Sequence, residues 1–189
     1  MKKATVLAAA LAASATLAGP ALAHTGGDVA GLHAGIVHPI LGADHLLAML
    51  AVGIWSAAQP VRKAWHAPAA FLALLAIGAV LGMAGVAFPM VEPGILASVV
   101  VIGLLAAFAR TMPETLALML IGGFALFHGH AHGAEATGAL GGYMTGFLAA
   151  SATLHLGGYG VGRLASRLRY GLIGSGLAVS AAGLALMAT

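Results

Sequence analysis

His38-Pro39-Ile40-Leu41-Gly42-Ala43-Asp44-His45 places two imidazoles and a carboxylate inside a stretch that otherwise reads as a membrane-spanning helix. An ionisable residue at the centre of a bilayer costs about 2.5–3.5 kcal/mol, so three within eight positions point to a function. Pro39 removes a helix hydrogen bond and crowds the preceding turn. Membrane helices tolerate this where the freed backbone faces protein or a cavity. A polar cluster on a broken helix at membrane depth has the chemistry of a cation site.

The chain around it fits a membrane setting. Of 189 residues, 61% are hydrophobic and only 7% are charged, against about 25% charged in soluble domains. The net charge of +3 arises from few residues and gives no basis for nucleic-acid binding. Cysteine is absent, which excludes disulfides and thiolate metal sites. Histidine is the unusual component: its nine residues outnumber the eight lysines and arginines and the five carboxylates. Glycine, at 28 residues, lets membrane helices approach closely. Gly78/Gly82, Gly138/Gly142 and Gly142/Gly146 have the small-xxx-small spacing that supports such packing.

Residues 1–23 read as a secretory signal peptide: Lys2 and Lys3, a short apolar run from Ala4 to Ala18, Gly19-Pro20, then Ala21-Leu22-Ala23. The run is short for a span, which favours cleavage after Ala23 over an uncleaved extra helix. Residues 24–189 then form a single membrane domain. Six apolar segments are expected near 31–58, 69–88, 94–109, 115–132, 139–158 and 170–187, with Pro60, Pro68, Pro89, Pro93 and Pro113 at the joints. The fold expected is an all-α integral membrane protein, a six-span bundle. A three-plus-three division with odd halves would make it an inverted repeat. Arg62, Lys63, Arg110, Arg163, Arg167 and Arg169 fall on alternate joints, which places those joints in the cytoplasm. Both mature termini then lie outside, which is the periplasm if the membrane is a bacterial inner membrane.

Two histidine clusters dominate. In the first, His38 and His45 share a helix face, and local unwinding at Pro39 and Gly42 would bring Asp44 round to them. The second is Phe127-His128-Gly129-His130-Ala131-His132-Gly133-Ala134-Glu135. His128, His132 and Glu135 form one helical stripe there, and His130 points the other way. Imidazole with carboxylate suits late transition metals. The expected metal residues are therefore His38, Asp44, His45, His128, His132 and Glu135. Five more are kept as pathway candidates: His24, whose free amine would adjoin its imidazole; His33; Met49, read mainly as core; His130; and His155. His66, beside Trp65, reads as interfacial.

At these residues the chain resembles the HupE/UreJ family of bacterial nickel and cobalt permeases. The resemblance covers nearly the whole mature chain and rests on His38-Pro39, Gly42 and Asp44-His45, and on Phe127-His128-Gly129, His132-Gly133 and Glu135. Thr153-Leu154-His155 and Gly158 look similar to the family's later histidine motif. The first motif also looks like the His-x4-Asp-His signature of larger nickel–cobalt transporters, but its spacing here is His-x5-Asp-His. The resemblance implies import of Ni²⁺ or Co²⁺, as substrate and not as resident cofactor. It also implies onward supply to nickel or cobalt enzymes. A homo-oligomer is kept separately among the expected partners. Histidine must be deprotonated to bind metal, and an unperturbed imidazole titrates at about pH 6.5, so uptake is expected to fall in acid. No nucleotide-binding motif is present, so transport is expected to be secondary, without ATP. The protein reads as a non-enzyme. The alternatives are a metal-dependent membrane hydrolase or hydroxylase on the same histidines, and haem held between facing histidines.

Overall fold

The computed structural model describes residues 27–136 and 139–188, and among them all regular structure is helical. The expected signal peptide and His24 lie outside the described residues. Seven helices follow in order: α1 Gly27–Leu41, α2 Ala43–Ala57, α3 His66–Met83, α4 Val91–Ala107, α5 Glu114–Glu135, α6 Leu140–Ala165 and α7 Gly171–Met187. Pro68 and Pro93 sit in the first turns of α3 and α4, where proline's missing N–H costs nothing. Pro113 caps α5.

The first expected span is two helices. α1 and α2 meet at Gly42 with a bend of 79°. Pro39 is absorbed in the last turn of α1, and the chain breaks three residues later. Gly42 has an ordinary extended backbone (φ −78°, ψ 111°), so its conformation alone does not demand glycine. Space there is tight: a Cβ would lie 3.1 Å from Asp44 Oδ1 and 3.2 Å from His45 Nδ1, so those side chains would have to shift by a few tenths of an ångström.

Glycine sets how the helices pair. α3 packs on α5, α1 and α2 pack on α6, and α4 packs on α7. Gly78 faces Leu126 O and Gly82 faces His130 O, while Gly129 of α5 faces Leu75 O in return. The α2–α6 contact repeats this arrangement: Gly158 faces Leu50 O, Gly162 faces Ile54 O, and Gly53 faces His155 O. The α2 and α5 partners are 76 positions apart, and the α6 and α3 partners 80. Between α4 and α7, Gly103 abuts Ser180 and Gly183 abuts Val100, so the equivalent positions Gly103 and Gly183, and Val100 and Ser180, are again 80 apart. Around these seams lies a core that includes Met49, Val52, Trp55, Phe71, Ile121 and Phe147.

By length and composition α3 qualifies as a membrane span alone, and α1 with α2 qualifies as one bent span. α4 and α7 are apolar but 17 residues each. α5 and α6 are longer, at 22 and 26 residues, but histidine and glycine dilute their apolar character. The outer surface carries Ile77, Met119, Leu156 and Leu184. Exposed Thr145 and Thr153 donate their hydroxyls to Gly141 O and Ala149 O, both at 2.8 Å. Groups satisfied within their own helix are what a hydrocarbon surrounding requires.

Candidate functional site

The bend at Gly42 and the straight α5 bring the two histidine motifs together. The His45 ring lies 4.3 Å from that of His132 and 4.6 Å from that of His128, centroid to centroid. His38, at the end of α1, adds a ring 4.6 Å from His132. Helix geometry accounts for the α5 pair, because positions four apart lie one above the other. Gly129 and Gly133 keep the adjoining face of that turn flat enough for α3 to close on it.

His45 and His128 each have one ring nitrogen fixed and the other bare. His45 Nδ1–H donates to Asp44 Oδ1 at 2.7 Å, and the same oxygen accepts the His45 backbone N–H at 2.7 Å. His45 Nε2 is left buried without a partner. The Ser98 hydroxyl of α4 donates its single hydrogen to Ile95 O at 2.6 Å, so it accepts from His128 Nε2–H at 2.7 Å. That tautomer leaves His128 Nδ1 as a bare lone pair. His132 Nδ1 lies 3.4 Å from the Tyr143 hydroxyl, and its Nε2 is unpartnered. His128 and His132 have no exposed surface and His45 has 8%. A buried polar atom without a hydrogen bond costs about 1–3 kcal/mol. Three in one cluster is an unusual concentration of unsatisfied buried nitrogen. A carboxylate behind His45 and a hydroxyl behind His128 fix the orientation of each ring, as an outer hydrogen-bond partner does.

Ring meets ring edge to face here. Among the described residues no three His, Asp or Glu side chains yet surround a common point. Ion binding therefore requires the rings to turn about their side-chain bonds. The rings of His45 and His128 touch, which leaves no room for a haem between them.

The other expected residues fall in distinct places. Glu135 is exposed at the end of α5, with Oε2 3.4 Å from His38 Nε2, at the mouth of the cluster. Asp44 stands behind His45. Met49 is fully buried in the apolar core. His33 is exposed on α1. His130 faces away from the cluster: its Nε2–H donates to Val86 O at 2.7 Å and its ring stacks on Phe88. His155 is buried on α6 against Phe71, and neither ring nitrogen has a partner. His66 is held by Glu114, with Nδ1 2.6 Å from Oε1. Lys63 bonds the other oxygen of Glu114, and together they hold that carboxyl below the usual glutamate range.

Sequence reasoning missed Ser98 and Phe147, whose ring lies 4.0 Å from that of His132. A serine and a phenylalanine in apolar helices carry no local signal of this role; only the packing of α4 and α6 assigns it.

Comparison with known proteins agrees with the motifs. A family described as HupE / UreJ protein matches residues 11–186. Protein HupE of Rhizobium leguminosarum bv. viciae is 45% identical over 141 residues, covering 72% of this chain and 74% of that protein. No solved structure matches. The two motifs, the helical fold and these matches agree: the chain belongs to the HupE/UreJ family, a membrane-associated family connected with nickel and cobalt transport.

Proposed function

We propose that the chain is a six-span secondary permease that carries Ni²⁺, or Co²⁺, into the cytoplasm of a bacterium without ATP. The observation that carries this reading is the set of three bare, buried nitrogens: His45 Nε2, His128 Nδ1 and His132 Nε2. Late transition ions favour such imidazole donors. His38 and Glu135 sit at the mouth and would receive the ion first. Asp44 holds the His45 tautomer, and its negative charge offsets that of the arriving cation.

Charge supports the direction. Arg62, Lys63, Arg110, Arg163, Arg167 and Arg169 lie at the ends of α2, α4 and α6 and in the joints that follow, all at the end away from the histidines. Placing that end in the cytoplasm opens the histidine end to the periplasm and puts the mature termini there too. A divalent cation entering a cell negative inside gains about 4.6 kcal/mol per 100 mV. The exchanged glycine seams support two inverted halves, α1–α4 and α5–α7. α2 bears to α6 the relation that α5 bears to α3, and α4 with α7 pairs onto itself, as a two-fold axis in the membrane plane requires.

The deciding experiment is uptake of radiolabelled Ni²⁺ into cells expressing the chain, with unlabelled Co²⁺ and Zn²⁺ as competitors. Saturable uptake blocked by Co²⁺ supports a nickel–cobalt permease. Uptake equal to that of empty cells, with the protein present in the membrane, rejects it.

A further inference from the structure

At the end opposite the histidines, the ends of α2, α4 and α6 and the turn into α7 enclose a cleft in two joined parts. One part, of about 200 Å³, is mainly apolar and runs along Phe108, Leu172 and Ile173. The other, of about 510 Å³, is polar and holds Arg163 and Gln59. Arg110 and Ser166 line both parts. Gln59 braces the wall by donating to Ala109 O at 3.3 Å. Among the described residues no carboxylate pairs with Arg110 or Arg163, because Glu114, the acidic group at this end, is engaged by Lys63 and His66. Phe108 and Ile173 are exposed, so the apolar part is continuous with the surface that faces lipid.

We propose that this cleft binds one anionic phospholipid, its phosphate between Arg110 and Arg163 and an acyl chain along Phe108, Leu172 and Ile173. Guanidinium groups match phosphate oxygens with paired donors. Basic pockets between helices on the cytoplasmic side are suited to anionic headgroups. The two arginines are exposed and have no carboxylate partner among the described residues, so they are free to take a phosphate, and the apolar part offers a contact to an acyl chain that free phosphate lacks. The inference rests on the membrane reading of the fold but not on metal transport, so each can fail without the other.

Native mass spectrometry of the full chain, purified in a neutral detergent, tests it with three probes: phosphatidylglycerol, phosphatidylcholine and inorganic phosphate. Phosphatidylglycerol is expected to be retained at concentrations about tenfold below phosphatidylcholine, with inorganic phosphate failing to displace it. R110Q/R163Q is expected to lose that preference. R62Q, which removes a charge from the same end but outside the cleft, is expected to keep it. Equal retention of the two lipids, displacement by inorganic phosphate, an unchanged preference in R110Q/R163Q, or its loss in R62Q each overturns the proposal. The comparison of probes on the wild-type chain decides the matter even where the double variant is not recovered folded.

Discussion

The two arms of the histidine cluster reach the same place by opposite means. The α1–α2 arm breaks its helix, bends by 79°, and sets a carboxylate behind its histidine. The α5 arm stays regular for 22 residues and relies on spacing alone, with His128 and His132 on one face. Its support comes from other helices: Ser98 on α4 and Tyr143 and Phe147 on α6. The broken arm carries its own orienting group in its sequence, and the straight arm borrows from its neighbours. A charge kept beside the histidine makes the first arm sensitive to electrostatics. Packing makes the second sensitive to shape.

This contrast can be broken from either side, and the expected effects run from large to small. His45→Ala removes the ring by which the broken arm touches both histidines of the straight arm, so Ni²⁺ uptake should fall to the level of empty cells while the protein remains in the membrane. Uptake left above a tenth of wild type would mean that the cluster is not the path. Asp44→Asn keeps the shape but removes the charge. A loss of about 10–100-fold is expected, the usual cost of an outer partner to a metal-binding histidine. Restoration of uptake in Asp44→Glu would confirm that the charge matters and not the fit.

Ser98→Ala is the matching change on the straight arm. It leaves His128 Nε2–H without its acceptor, and a smaller loss is expected, up to about tenfold. A loss as great as that of Asp44→Asn would erase the distinction between the arms. Gly42→Ala tests the bend: the added methyl meets Asp44 and His45 at 3.1–3.2 Å, so uptake should drop with little change in abundance. Met49→Leu preserves volume in the apolar core and should leave uptake near wild type.

The smallest effect is expected at the far end. Glu114 is held ionised below the usual glutamate range by Lys63 first and His66 second. Its contribution to stability is therefore complete above the ordinary glutamate range and is lost as pH falls through the lowered value. Thermal melts of the detergent-solubilised protein should show Glu114→Gln slightly less stable at neutral pH, converging with wild type in strong acid. Melts that stay parallel at every pH would show the clamp to be inert.

The sequence by itself determined most of the helices and the identity of the cluster. Proline and polar residues mark the joints between the helices. Five of the six expected segments each match one helix, because loss of a backbone hydrogen bond at Pro60, Pro89 or Pro113 is a local event. His38, His45, His128 and His132 stand out because an imidazole in an apolar run is costly wherever the run folds. Glycine spacing likewise foretold the Gly78/Gly82 seam, since a missing Cβ is a property of the residue alone. What only the tertiary structure decided is how these parts meet. Pro39 is the conspicuous breaker, yet the helix turns at Gly42, where Asp44 and His45 crowd the backbone. Asp44, expected as a ligand, stands behind His45 because the bend turns its carboxylate onto that ring. His130 and His155 are alike in sequence, each a histidine in a helix. One is bonded to a loop carbonyl and the other is buried with both nitrogens bare. That difference depends on which neighbour each helix packs against, and neither histidine's own sequence surroundings name that neighbour.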